Sequence, residues 1–193
     1  MAMSNLDVST STPHSSGSHD LRPGAPAPVD RTPADLALGP IVRRAVARRH
    51  YGVVATASAQ GRPHSAGVVY QLVADSLWFS TMASSRKAVN IAANPAVGLT
   101  IPVRRAPIGP PSAVQLQAVA ELVDPHHPEL RRLAEAGSLP AITGHGELDL
   151  EGGCFVRLRL PRRVPVYGIG MSLLQLIRHP LDGARVASVD WSA

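Results

Sequence analysis

Between Tyr51 and Asp124 apolar and polar residues alternate in short runs, and most joints between the runs are too short for anything but antiparallel neighbours. Tyr51–Ala57 reads as a strand, Ser58-Ala-Gln-Gly-Arg as a turn containing Gly61, and Pro63–Ala74 as a second strand, together a hairpin. Asp75-Ser76 turns into a third strand, Leu77–Thr81. A parallel crossover takes about a dozen residues or more, which none of these joints offers. One helix, about Arg86–Ala93, follows, and Asn94-Pro95 stops it. Ala96–Val103 is a fourth strand. Arg104–Pro111 is a loop longer than a hairpin needs. Ala113–Asp124 is a fifth strand with Val114, Leu116, Ala118, Ala120 and Leu122 in one phase. Phe155–Leu160 alternates again, with Arg157 and Arg159 on one face, and Arg163–Gly168 continues the sheet past a proline bend. About six such strands with few spare edges predict a mainly β chain with short helices, folded as a six-stranded antiparallel barrel, closed or partly split.

The flanks are less regular. Residues 1–32 are rich in Ser, Pro, Gly, Ala and Asp without apolar periodicity and read as a flexible tail, leaving 33–193 for the domain. A helix is expected over about Ala34–Arg49, in one piece or in two divided at Pro40, and another over Pro128–Ala136 with Asp124 or the His126-His127-Pro128 corner at its start. Gly137–Gly153 and Met171–Ala193 have no single pattern.

Composition narrows the classes. No run reaches the roughly 18 apolar residues of a membrane span, no basic-then-apolar leader opens the chain, and Cys154 is the lone cysteine, so a reducing cytoplasm is expected. The net charge is +5; the tail sets two arginines against three aspartates, which leaves +6 on the remainder. The arginines fall in scattered pairs such as Arg43-Arg44, Arg48-Arg49 and Arg162-Arg163 with no reading helix, zinc finger or aromatic RNA-binding signature, so nucleic acid is not the expected partner. An anionic cofactor or substrate explains the surplus equally well.

One segment breaks the arginine habit. Of nineteen basic residues eighteen are arginine; the single lysine is Lys87, in Thr81-Met-Ala-Ser-Ser-Arg-Lys87, where a strand runs into a helix. A helix start offers unpaired N–H groups and a positive dipole end. Thr81, Ser84 and Ser85 add hydroxyl donors, Arg86 and Lys87 full charges, and lysine supplies a compact point charge instead of a planar fork. Charge-assisted bonds of this kind are worth roughly 1.5–3 kcal/mol each. The segment is an anion site or a capped, solvated helix start.

This order of elements, with Phe79-Ser-Thr81, Ser85-Arg-Lys-Ala88, Ile91 and Asn94-Pro-Ala-Val-Gly-Leu99, resembles the pyridoxamine 5'-phosphate oxidase-like split-barrel flavoproteins. Gly61-Arg-Pro63 and Ala118-Val-Ala-Glu-Leu122 extend the likeness, which runs from about Tyr51 to Asp124 with an echo at Phe155–Val164. The resemblance implies a homodimer holding flavin mononucleotide (FMN) at the subunit interface. Thr81, Ser84, Ser85, Arg86 and Lys87 would hold the phosphate and ribityl end. Ser65, Ala66, Gly67 and Val68 would lie along the ring, where small side chains let it approach the backbone. Gln115 and Gln117 of the partner's fifth strand would approach the pyrimidine edge.

The departures are as informative. Where the oxidase has a second-strand arginine and lysine this chain has Ala66 and Gln71; where it has a fifth-strand glutamine, Ala113 stands. Its C-terminal arginine–histidine signature gives way to Val166-Tyr-Gly-Ile-Gly-Met. The resemblance therefore implies a flavin-dependent oxidoreductase with a retained anchor and a rebuilt substrate site, acting on a small molecule other than pyridoxamine phosphate. The alternative is a non-catalytic binder or sequestering protein for flavin, a deazaflavin coenzyme or haem, which relatives with the same barrel hold.

Other chemistry is weakly signalled. Arg157 and Arg159 are candidates for a cation beside a reduced flavin, or exposed charges on a wet strand face. His64 falls near the expected ring plane or on the hairpin surface. His126, His127, His145 and Cys154 match no standard zinc spacing, and no metal site is expected. No Gly-x-Ser-x-Gly elbow is present, and Gly168-Ile-Gly170 lacks the third glycine of a dinucleotide fingerprint. Trp78 and Phe79 read as core.

Overall fold

The computed structural model describes residues 33–103 and 110–192; the tail expected over 1–32 and most of the loop after Val103 lie outside the described residues. The elements in chain order are α1 (Pro33–Ala47), β1 (Tyr51–Ala57), β2 (Pro63–Val69), β3 (Gln71–Val73), β4 (Ser76–Met82), α2 (Arg86–Ala93), β5 (Ala96–Val103), β6 (Ser112–Val123), α3 (Pro128–Glu135), α4 (Pro140–Thr143), β7 (Gly153–Arg159), β8 (Arg163–Tyr167), α5 (Leu173–Arg178) and β9 (Ala184–Ser188). Every strand pairing is antiparallel, and the strands run in the order β2-β1-β5-β6-β7-β4-β3, with β8 beside the first part of β6 and β9 beside β8.

The sheet curls into a split barrel, mainly β with short helices, as the alternation predicts. Nine strands stand where about six are expected: the stretch after the proline bend is a strand of its own, β8, and two further departures add the rest. First, Pro63–Ala74 divides at Tyr70. Its side chain is fully buried, its hydroxyl donates to the Val46 carbonyl at 2.9 Å and its N–H to the His50 carbonyl at 2.8 Å. Those bonds turn the chain from β2, beside β1, into β3, beside β4. Second, the C-terminal stretch without a single pattern supplies β9 and the capped helix α5, where Ser172 and Gln175 form a reciprocal capping box.

Strict alternation sorts side chains between two cores. Leu77, Phe79, Val156 and Leu158 point into the barrel with Val54, Leu99, Leu116, Val114 and Ile101. Their strand neighbours Trp78 and Phe155 point outward to a second cluster with Leu130, Leu139 and Ile142 of the segment carrying α3 and α4. The long strand β6 serves both arms: its first half pairs β5 and β8, and its last residues pair β7. Helix α1 packs along β9 and closes the barrel interior with Leu38, Val42 and Val46. It is one helix, not two pieces, with Pro40 inside it. A mid-helix proline costs about 3 kcal/mol, but burial of those three side chains, at roughly 1.5–3 kcal/mol each, outweighs it.

Among the described residues no helix is long and apolar enough to cross a membrane.

Candidate functional site

Strand β4 ends at Met82, and a three-residue turn delivers the chain to α2. The turn is tied down by the Ala83 N–H donating to the Gly152 carbonyl at 2.9 Å and the Ser85 N–H to the Met82 carbonyl at 3.0 Å. Ser85 is the N-cap of α2, extended at φ −67°, ψ 149°, its Oγ accepting from the Ala88 N–H at 3.4 Å. The Thr81 hydroxyl lies 3.1 Å from the Ser85 hydroxyl, so two of the expected donors share a hydrogen bond at the helix start.

With Ala88 and Val89 satisfied by Ser85, the N–H groups of Arg86 and Lys87 are, among the described residues, the uncommitted donors of the first turn. The first turn itself carries no acidic residue to compete for them. Thr81, Ser85 and Lys87 are half-buried; Ser84 and Arg86 are exposed. The Lys87 ammonium is near enough to pull the Cys154 thiol down, against the stronger upward push of burial. Cys154 itself is directly opposite Thr81 on β7. Partly shielded cationic and hydroxyl groups around a Ser85-capped helix start that leaves the Arg86 and Lys87 N–H groups to a ligand suit a phosphate, so these residues fit the group the resemblance implies.

A buried polar link holds α2 in place. Asn90 Nδ2 donates to Thr56 Oγ1 at 2.9 Å, and Thr56 Oγ1 in turn lies 3.4 Å from the His64 carbonyl. Both side chains are over nine-tenths buried, so the helix is keyed to the β1–β2 hairpin. Sequence reading missed this pair. Its signal was a single amide on the otherwise apolar inner face of Ala88 and Ile91.

Among the described residues β2 is an edge strand, paired with β1 alone. Side chains along it alternate. Ser65 and Gly67 face out, while Ala66 is half-buried and Val68 lies in the core. Of the four residues expected along a ring, Ser65 alone presents a side chain to the exposed face; the Tyr51 ring lies over Gly67, and Ala66 and Val68 offer backbone alone. His64 is half-buried on the inner face. Gln71, in the oxidase's lysine position, is half-buried on β3 with its Oε1 lacking a hydrogen-bond partner.

Gln115 and Gln117 are exposed on β6 in the same rows as the β2 residues. Gly67, Val53, Thr100 and Gln115 are successive register partners, as are Ser65, Ala55, Gly98 and Gln117. Three strand spacings separate β2 from β6, about 14 Å, so within one chain these glutamines stand across the sheet from the β2 residues expected along the ring.

Arg157 is neither a free cation nor an exposed one. Its guanidinium donates to Glu121 at 2.6 Å and to Glu129 at 2.8 and 3.0 Å, and lies 5.5 Å from the Trp78 ring centroid. Only 15% of the side chain is exposed, against 71% for Arg159. The clamp fastens α3 to the sheet. The remaining histidines have local partners: His127 caps α3, His126 meets Arg131, and His145 pairs with Glu147. Among the described residues no cluster of His, Cys, Asp and Glu is set to hold a metal ion.

A protein-family model described as pyridoxamine 5'-phosphate oxidase matches residues 38–143, over half of the chain. No curated protein matches it. Among solved structures, a haem-binding protein from Mycobacterium smegmatis aligns with TM-score 0.60 and 21% identity over 83% of this chain and 59% of its own, so this chain spans less than two thirds of that neighbour. HutZ, the haem storage protein from Vibrio cholerae, aligns with TM-score 0.57 and 22% identity over 69% of this chain and 96% of its own. An FAD-binding protein from Mesorhizobium loti aligns with TM-score 0.50 and 17% identity over 61% and 86%. At these identities the structural likeness is one of fold.

Proposed function

The chain belongs to the pyridoxamine 5'-phosphate oxidase family, and from that premise we propose that it is an FMN-dependent oxidoreductase, homodimeric and cytoplasmic, acting on a small molecule other than pyridoxamine phosphate. The observation that carries the reading is the half-buried Thr81–Ser85–Lys87 corner at a helix start with two uncommitted N–H donors and no competing acid. Lys87 and Arg86 neutralise the phosphate, and the Thr81 and Ser85 hydroxyls fix its orientation. The backbone of β2 supplies donors and acceptors to the flavin ring; the Tyr51 ring lies over Gly67, so the flavin's flat face is met there by Tyr51, with Ser65 beside it. Bound flavin would supply the hydride or electron transfer; the chain's task is to bind, orient and shield it.

The face of β2, β1, β5 and β6, uncovered among the described residues, supports a second copy as the partner. Tyr51 and Val69 are each just over half exposed on it, and Gln115 and Gln117, exposed on the same face, would approach the cofactor of the second copy.

The test is spectroscopic. Purified protein should carry, or take up, a chromophore with the two-band flavin spectrum, reducible by a nicotinamide donor and reoxidised by substrate. Colourless protein that refuses FMN and a deazaflavin coenzyme would overturn the reading. A second reading, a binder that does not turn over, draws on the loss of the family's substrate residues at Ala66, Gln71 and Ala113 and on the haem-binding neighbours. A Soret band on adding haemin, or flavin held without redox exchange, would favour it.

A further inference from the structure

The arginine pairs of α1 have no part in the flavin site, yet the fold gathers them beside the C-terminal strand. Gly39, Pro40, Arg43, Arg44, Ala47 and Arg48 recur at the spacing of one helical face and line a groove of about 490 Å³. Ser188 and Asp190 form its other wall. A Cβ on Gly39 would collide with the Ser188 carbonyl oxygen, so helix and strand meet backbone to backbone. The helix side of the groove is therefore small residues interleaved with guanidinium groups.

The charges in it are unbalanced. Arg43 is half-buried and its Nε donates to the Trp191 carbonyl at 3.3 Å. Among the described residues neither Arg44 nor Arg48 has an ion-pair partner. The one acid, Asp190, is fixed by the Ser192 N–H and hydroxyl, both on Oδ1 at 3.0 and 2.7 Å. Cations in a last helical turn offset the dipole, but one suffices for that. Three on one face opposite a pinned carboxylate make a bipolar slot.

We propose that this groove binds a small phosphorylated molecule, the guanidinium forks of Arg43, Arg44 and Arg48 taking the phosphate and Asp190 accepting from a hydroxyl or amine at the far end. Planar forks match phosphate oxygens two at a time, and the groove has the volume of a small-ligand pocket. The site is separate from the α2 corner and does not rest on the flavin reading.

Inorganic tripolyphosphate, titrated calorimetrically into the full chain at low salt, tests it. One binding event per chain should survive Lys87→Ala, which disables the α2 corner, and weaken about tenfold or more in Arg44→Gln/Arg48→Gln. Both arginines are exposed, so that variant should melt with the wild type; Arg44→Lys/Arg48→Lys keeps the charge, loses the forks and should bind at an intermediate strength. Asp190→Asn should tighten the bare polyphosphate by removing a repulsion. The proposal fails if Arg44→Gln/Arg48→Gln binds as the wild type does, or if Lys87→Ala abolishes all binding. It fails equally if Arg62→Gln/Arg132→Gln, the same charge removed elsewhere, weakens binding as much, or if Asp190→Asn changes nothing.

Discussion

At the residue scale the α2 corner concentrates its work in two side chains. Ser85 both caps the helix and shares a hydrogen bond with Thr81; Lys87 is the point charge beside them. Ser85→Ala/Lys87→Ala should lose a cap worth about 1 kcal/mol, keep its fold by circular dichroism, and emerge without flavin; full occupancy in that variant would show that the anchor lies elsewhere. Tyr70 offers a pH test of the corner between β2 and β3. Burial pushes its phenol well above the ordinary tyrosine range, opposed weakly by Arg49. The native state then holds the proton more tightly than the unfolded one, so this stability is whole below about pH 10 and falls as the pH rises beyond it. Tyr70→Phe should cost about 1 kcal/mol at pH 8 by losing the bond to Val46 and should flatten the alkaline decline seen in urea melts.

At the element scale, helices are held by short, particular contacts. Gly39→Ala would stabilise an isolated helix by up to about 1 kcal/mol. Here it forces α1 off β9 and should destabilise by about 1–3 kcal/mol, a reversal of sign that a denaturant titration reads directly. Asn90→Ala removes the buried donor to Thr56 and should cost about 1–3 kcal/mol. It should also speed cofactor release, because α2 loses its key to the hairpin; an unchanged release rate would mean the link serves stability alone.

At the scale of the whole molecule, the two arms of the sheet are treated unequally. The outward face of β7 and β4 is roofed by α3 and α4 over Trp78 and Phe155. Among the described residues the outward face of β2, β1, β5 and β6 has no such cover, and Tyr51, Val69 and Val119 stand exposed on it. On the dimer proposed above, Tyr51→Arg/Val69→Arg should yield a monomer in analytical ultracentrifugation, still folded and depleted of the proposed cofactor. A dimer that survives both charges would place the interface on another face.

Strand periodicity, the Ser85-Arg-Lys87 start and the Asn94-Pro95 stop are local signals, carried by alternation, capping and φ restriction, and they were enough to read the antiparallel barrel and the bounds of α2. Local signals could not say that Tyr70 breaks one run into two strands, because that turn is made by bonds to Val46 and His50, some twenty residues back. They could not say that Pro40 stays inside an unbroken helix, since the burial that offsets it comes from strands far along the chain. Nor could they show that Arg157 is absorbed by Glu121, Glu129 and Trp78, or that α1 and β9 meet. Each of these depends on which distant groups share a dielectric and a distance, and only the folded chain sets that.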